Sequence, residues 1–207
     1  MKDPFNILVA GVGGQGNLVC GRVLAEAAVL DQLRPVVGDT FGASRRGGGV
    51  TTHVRIGTRD WGPLIPAGEV DILLGLETME TYRAASALGG MKTAVVVADT
   101  RIPTPDVSAG KHEYAPFEAY IRELSEVCEH EAPLVYPVRT AQALENLSSP
   151  RVLNVYMIGV MAAIQDGPPS QQTIERTVKA IFDEDSENVE AVRLGFEHGK
   201  EIGPEGP

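Results

Sequence analysis

The sequence predicts an α/β fold of the Rossmann-like type, with a mostly parallel sheet, helices on both faces and a helical C-terminal portion. Short apolar runs alternate along the chain with segments whose apolar residues recur at helical spacing. The first run ends in a glycine-rich segment, Gly11–Gly16 (GVGGQG), which directly precedes a helical pattern. After the last predicted strand, three helical patterns follow one another.

The predicted strands are short apolar or β-branched runs bounded by glycine, proline or polar residues. They cover Phe5–Ala10, Pro35–Val37, Val50–Ile56, Asp71–Leu76, Thr93–Ala98 and Leu134–Val138. The last strand is expected at a sheet edge, because Pro137 cannot donate a ladder hydrogen bond. Asp39–Gly49 is predicted to be a loop, because it is rich in glycine and has no apolar period.

The predicted helices carry apolar residues at one-turn spacing. They cover Leu18–Leu30, Thr78–Leu88, Pro116–Glu129, Asn154–Ile164, Thr173–Phe182 and Ser186–Ile202. One N-cap is expected near Thr78 and another at Ser170. In the last helix Val189, Val192 and Phe196 form a docking face.

Composition narrows the class of protein. A chain of 207 residues is expected to form one domain over residues 1–207. The net charge of −10 argues against a nucleic-acid binder, because such proteins gather Lys and Arg to neutralise phosphates. The longest apolar run, Val155–Ile164, is too short to span a bilayer. Two distant cysteines and the lack of a signal-peptide pattern indicate a reducing cytoplasm.

Four glycines form the first candidate site: Gly11, Gly13, Gly14 and Gly16. A tight turn needs positive φ, and the N-terminus of the following helix attracts an anion. Asp39 stands near the place where a dinucleotide fold has its ribose-binding acid, so NAD remains one alternative. The other is that these glycines merely let a helix pack closely on the sheet.

The second candidate site is the arginine–glycine loop, Ser44–Gly49 (SRRGGG). Arg45 and Arg46, with the backbone of Gly47 and Gly48, could hold a phosphate or carboxylate. The alternative is a turn whose arginines lie in solvent. His53 is expected to be a hydrogen-bonded strand histidine, because no second metal-ligating residue stands at ligand spacing.

These motifs resemble one family: the small subunit of indolepyruvate:ferredoxin oxidoreductase and the gamma domain of other 2-oxoacid:ferredoxin oxidoreductases. The resemblance covers nearly the whole chain. It rests on GVGGQG, then Arg46-Gly47-Gly48, then Thr52–Gly57 (THVRIG), Pro66 before Asp71–Glu77 (DILLGLE), Asn154-Val155, Gly159 and Asn188–Gly199.

The resemblance implies an accessory subunit that is inactive alone. Thiamine diphosphate and iron–sulfur clusters would lie on large partner chains, ferredoxin would accept the electrons, and coenzyme A could bind at the shared interface. Arg45 and Arg46 with Gly47 and Gly48 would then be candidates for a coenzyme A phosphate or a partner carboxylate. The family commonly has His-Gly-Met-x-Gln-Arg-Gly-Gly where this chain has Phe41–Gly48, so the 2-oxoacid stays open, aromatic or otherwise.

The sequence is therefore consistent with three functional hypotheses. The first is a partner-dependent oxidoreductase subunit, whose isolated chain exposes apolar surface and tends to self-associate. The second is an autonomous NAD-binding oxidoreductase that uses Gly11–Gly16 and Asp39. The third is a non-catalytic nucleotide-binding or ligand-free module.

Overall fold

A computed structural model describes residues 2–42, 48–103, 113–127, 134–145, 150–184 and 186–204. The described strands form one six-stranded sheet in the order β2-β3-β1-β4-β5-β6. Their bounds are β1 Phe5–Val12, β2 Arg34–Phe41, β3 Gly49–Gly57, β4 Ile72–Gly75, β5 Ala94–Ala98 and β6 Val135–Val138. The edge position predicted for the proline-containing strand β6 is confirmed.

The sheet is mixed but mostly parallel. β1, β4, β5 and β6 pair in parallel, whereas β3 pairs antiparallel with both β1 and β2. β3 therefore runs opposite to every other strand that the structure describes. Consequently the carboxyl ends of the other five described strands lie together at one end of the sheet, where β3 begins.

Helices cover both faces of the sheet. The described helices are α1 Asn17–Leu30, α2 Thr78–Leu88, α3 Phe117–Val127, α4 Thr140–Ala143, α5 Leu153–Ile164, α6 Gln171–Phe182 and α7 Glu187–Ile202, with a 3₁₀ turn at Pro150–Val152. Ile7 and Val9 of β1 face the core shared with α1, α5, α6 and α7, and Leu8 and Ala10 face the core shared with α2 and α3. This alternation follows from the two-residue period of a strand.

The structure corrects the predicted loop Asp39–Gly49 at both ends. Asp39–Phe41 belong to β2, because they continue the antiparallel ladder opposite Val50–Thr52, and Gly49 begins β3. The cap predicted near Thr78 is Glu77, whose carboxylate accepts from the Glu80 backbone N–H at 2.8 Å. The Ser170 cap of α6 is confirmed by its hydrogen bond from Thr173 N.

The predicted docking face of α7 packs on α5, and glycines set how closely these helices approach. A Cβ on Gly159 would lie 2.3 Å from the carbonyl oxygen of Val192. A Cβ on Gly195 would lie 2.2 Å from that of Tyr156. Both distances are far below a normal carbon–oxygen contact, so the two backbones touch where these glycines stand. Val189, Val192 and Phe196 are buried in this layer.

The C-terminal helices are also tied to α1 by polar contacts. The carboxylate of Asp31, just after α1, accepts from the backbone N–H of Ser170 at 2.7 Å and from the hydroxyl of Thr173 at 3.0 Å. The start of α6 is thereby held against the end of α1. None of the described helices has both the length and the apolar character that crossing a membrane requires.

We predict that Gly195→Ala destabilises the chain despite the higher helix propensity of alanine. Propensity favours alanine by about 1 kcal/mol. The added methyl group meets a backbone carbonyl that can move only with its helix, and such overpacking costs about 1–3 kcal/mol. Urea unfolding followed by circular dichroism should show a net loss of free energy of unfolding. The control is Gly62→Ala, where a Cβ meets nothing within 4 Å. A gain in stability for Gly195→Ala would contradict the close packing of α5 and α7.

Candidate functional site

The glycine turn, Gly11–Gly16, connects β1 to α1 at the edge where the parallel strands end. Gly14 and Gly16 have φ values of 111° and 90°, which side-chain-bearing residues rarely adopt. The Gln15 side chain closes the turn: its Oε1 accepts from Val12 N at 2.7 Å, and its Nε2 donates to the carbonyl of Leu76 at 2.8 Å. The turn is thus fixed both internally and to the end of β4.

The glycines of this motif have different surroundings. Gly11 lies in β1, and a Cβ there would meet Gln15 Oε1 at 2.8 Å. A Cβ on Gly16 would lie 2.2 Å from Asn154 Nδ2, at the start of α5. A Cβ on Gly14 would meet no atom within 4 Å. Gly11 and Gly16 therefore lie directly against neighbouring side chains, whereas Gly14 borders open space.

The turn contacts the end of the arginine–glycine loop. Gly13 N donates to the carbonyl of Gly48 at 2.9 Å, and Gly42 N donates to the carbonyl of Gly49 at 2.9 Å. Two of the predicted site residues, Gly13 and Gly48, are therefore neighbours. The predicted site residues Arg45, Arg46 and Gly47 lie outside the described residues.

A cleft of about 900 Å³ opens beside the turn, at the carboxyl ends of β1, β5 and β6. Open α/β sheets bind ligands at this edge, and the volume suits a nucleotide-sized molecule. The cleft is lined by Gly14, Gln15, Gly16, Val19, Thr100, Ile102, Thr140, Ala141, Leu144, Arg151, Val152, Leu153, Asn154, Phe182 and Asn188.

The electrostatics at one end of the cleft favour an anion. The N-termini of α1 and α5 both border it, and the N-terminus of a helix carries a partial positive charge. At α5 the Val155 N–H donates to Asn154 Oδ1 at 2.8 Å. The two termini are joined by Asn154, whose Nδ2 lies 3.5 Å from the carbonyl oxygen of Gly16. Arg151 also lines the cleft. Leu144, Leu153 and Phe182 make other parts of the lining apolar.

Two buried acids lie behind the cleft, in α2 and the residue before it. Glu77 is 1% exposed, and burial raises the pKa of its carboxyl group to about 7, with the charge of Glu80 acting in the same direction. Glu77 also accepts from Ile102 N at 3.3 Å. Glu80 pairs with Arg83 at 2.6 Å. The sequence analysis missed both acids as site residues. An acid directly after a buried strand could have indicated them, because open α/β sheets bind ligands at the carboxyl ends of their strands.

The position of Asp39 does not favour the NAD hypothesis. In a dinucleotide fold the ribose-binding acid ends the strand beside the first one. Here β3 lies between β1 and β2, so Asp39 is two strand spacings, roughly 10 Å, from β1. Its carboxylate accepts instead from the Thr52 hydroxyl at 2.6 Å.

The remaining candidates for chemistry have structural partners. His53 Nδ1 accepts from Ile65 N at 3.2 Å, and burial lowers the pKa of His53, as expected for a hydrogen-bonded strand histidine. Burial raises the pKa of the Cys20 thiol to about 12, which keeps it protonated at neutral pH. Among the residues that the structure describes, no group of three or more His, Cys, Asp or Glu side chains could hold a metal ion.

We predict that Gly16→Ala destabilises the chain more than Gly14→Ala does. Both substitutions force alanine to positive φ, at a cost of about 1–2 kcal/mol. Gly16→Ala must in addition displace Asn154, which adds about 1–3 kcal/mol. The free energy of unfolding in urea measures the difference. Asn154→Ala combined with Gly16→Ala should cost less than the sum of the two single changes. Equal losses for both glycine variants would contradict the contact between the turn and α5.

Comparison with known proteins places this chain in one family. Residues 6–198 match the family model described as pyruvate ferredoxin/flavodoxin oxidoreductase. The indolepyruvate oxidoreductase subunit IorB of Archaeoglobus fulgidus is 34% identical over 195 residues, covering 93% of this chain and 94% of the relative. The corresponding subunit of Pyrococcus horikoshii is 30% identical, covering 98% of each chain. The 2-oxoglutarate synthase subunit KorC of Archaeoglobus fulgidus is 25% identical, covering 98% of this chain and 91% of the relative.

Solved structures share the fold. A pyruvate oxidoreductase subunit from Thermotoga maritima superposes with a TM-score of 0.67 at 18% identity and covers 97% of both chains. The 2-oxoglutarate:ferredoxin oxidoreductase of Magnetococcus marinus gives a TM-score of 0.68 at 20% identity, and this chain matches 31% of its chain. The chain therefore belongs to the pyruvate ferredoxin/flavodoxin oxidoreductase family, as an accessory subunit of a 2-oxoacid:ferredoxin oxidoreductase complex.

Proposed function

We propose that the complex completed by this chain oxidatively decarboxylates an arylpyruvate of the indolepyruvate type to the acyl-CoA. Thiamine diphosphate and iron–sulfur clusters on large partner chains perform the chemistry, and ferredoxin takes the electrons. This chain forms one domain over residues 1–207 and acts in the cytoplasm, where a free buried thiol such as Cys20 stays reduced.

The identity of the relatives carries the choice of substrate class. Indolepyruvate subunits from four archaea are 29–34% identical to this chain. The 2-oxoglutarate subunits are 25–29% identical. Sequence identity over the whole length therefore favours the aromatic substrates. One departure is Phe41, which stands where the indolepyruvate type commonly has a histidine.

We further propose that the cleft beside the glycine turn binds the anionic part of coenzyme A at the interface with the partner chains. The contributing residues are Gly11, Gly13, Gly14 and Gly16 in the turn and Arg45, Arg46, Gly47 and Gly48 in the arginine–glycine loop. Three features support this: the free space beside Gly14, the two helix N-termini, and the hydrogen bond that ties Gly13 to Gly48. A phosphate would receive backbone N–H bonds at the turn, and Arg151 would add a guanidinium charge.

The surface of the isolated chain fits a subunit that needs partners. Large apolar side chains on α1 and the edge strand β2 are exposed, among them Leu18 at 54%, Val29 at 59% and Phe41 at 48%. Apolar groups in such numbers on neighbouring elements favour contact with another protein. We expect the chain to self-associate when it is purified without its partner chains.

We predict that the complex, reconstituted from this chain and its large partner subunit, reduces a low-potential acceptor with arylpyruvates in preference to 2-oxoglutarate and pyruvate. The measurement is kcat/KM for each 2-oxoacid in the presence of coenzyme A. The control is each subunit assayed alone, for which we expect no turnover. A preference for 2-oxoglutarate would refute the proposed substrate class, and full activity of the large subunit alone would refute the need for this chain.

A further inference from the structure

The first observation concerns Glu77, which links two segments that the sequence keeps apart. It follows β4, and its Oε2 accepts from Glu80 N at 2.8 Å, which caps α2. Its Oε1 accepts from Ile102 N at 3.3 Å, in the connection that follows β5. One carboxylate therefore ties the start of α2 to the segment beyond the neighbouring strand.

This segment, Thr100–Ile102, forms a wall of the cleft, since Thr100 and Ile102 both line it. Thr78 holds it at its first residue: the backbone N–H and the hydroxyl of Thr78 both donate to the carbonyl of Thr100 at 3.0 Å. The last residue of this segment is held by the hydrogen bond that Ile102 N donates to Glu77, among the described residues. The placement of Ile102 in the cleft thus depends on Glu77.

The neighbouring acid, Glu80, contacts the end of the arginine–glycine loop at Gly49. A Cβ on Gly49 would lie 2.2 Å from Glu80 Oε2, so the carboxylate of Glu80 packs on the backbone that ends the arginine–glycine loop. Gly48, the residue before it, accepts from Gly13 in the turn. Arg83 pairs with the other oxygen of Glu80, Oε1, at 2.6 Å. The start of α2 therefore supports both the loop and the cleft wall.

We propose that Glu77 is the positioning residue of the cleft, and that its ionised form holds the Thr100–Ile102 wall in the binding geometry. The proposal rests on the proposed function, in which this cleft binds the anionic part of coenzyme A. Glu77 touches no ligand in this account. It acts through the backbone of Ile102.

The chemistry of the carboxyl group explains why ionisation matters. A carboxylate has two acceptor oxygens and serves two backbone donors, whereas the protonated acid turns one oxygen into a donor. The longer bond, from Ile102 N, is the one expected to be lost. Burial raises the pKa of Glu77 to about 7, so both forms are populated near neutrality.

Other ionisable groups surround Glu77 from each packed element. The charge of Glu80 raises the pKa of Glu77 further, whereas the hydrogen bonds that Glu77 accepts from the backbone lower the pKa of Glu77. On α3, burial raises the pKa of the Tyr120 phenol, and the charge of Glu77 raises it further. The other groups in the surroundings of this pair are Arg83, Arg101, Tyr114 and Glu123.

We predict that Glu77→Gln releases the wall in the assembled complex. The amide keeps one acceptor oxygen, so the shorter bond to α2 remains and protection of the Ile102 amide against hydrogen exchange falls about tenfold. The KM for coenzyme A should rise roughly threefold to tenfold at unchanged kcat. In the unsubstituted complex the protection of the Ile102 amide should fall and the KM for coenzyme A should rise as pH falls through about 7. In Glu77→Gln this pH dependence should disappear.

The control is Glu26→Gln, an exposed acid on α1 whose side chain is 46% exposed; it should leave protection, KM and the pH profile unchanged. The pH series of the unsubstituted complex tests the proposal without any substitution, should Glu77→Gln fail to fold. Unchanged Ile102 protection across that series overturns the positioning role. Changed protection with an unchanged KM for coenzyme A upholds the positioning role and contradicts the coenzyme A assignment of the cleft.

Discussion

The structure depends on the close approach of the glycine turn to its neighbours on three sides. Gly16 touches Asn154 at the start of α5, Gly13 bonds to Gly48, and Gln15 bonds to the end of β4. A side chain on Gly16 would push against Asn154 and so separate the turn from α5. All but one of the described strands end on the side of the sheet where the glycine turn lies. The contacts of the turn therefore bring two helix N-termini, an arginine and an apolar wall around one cleft.

Much of this architecture could be predicted from the sequence, because the signals were local. Apolar runs and helical spacing gave the elements, and the glycine motif after β1 located the edge. The hairpin of β2 and β3 could not be predicted as it is. Asp39–Phe41 precede a glycine-rich segment and are predicted to form a loop with it, yet the ladder to β3 holds them extended. The insertion of β3 between β1 and β2 is a long-range pairing that no short window of sequence contains.

The site was predictable in part for the same reason. Gly13 and Gly48 were identified from their motifs, and the structure brings them together. The sequence analysis missed Glu77, Thr140 and Arg151. These residues lie in different segments of the chain, and only the fold brings the segments together around the cleft. The chain belongs to a family of oxidoreductase subunits, and in the proposed function its cleft completes a site shared with partner chains.

The most direct test of this account is a structure of the assembled complex with coenzyme A bound. The account predicts phosphate oxygens within hydrogen-bonding distance of the backbone N–H groups at Gly14–Gly16, with Arg151 beside them. It would be contradicted by a coenzyme A molecule bound entirely by partner chains, with the cleft of this chain facing away from it.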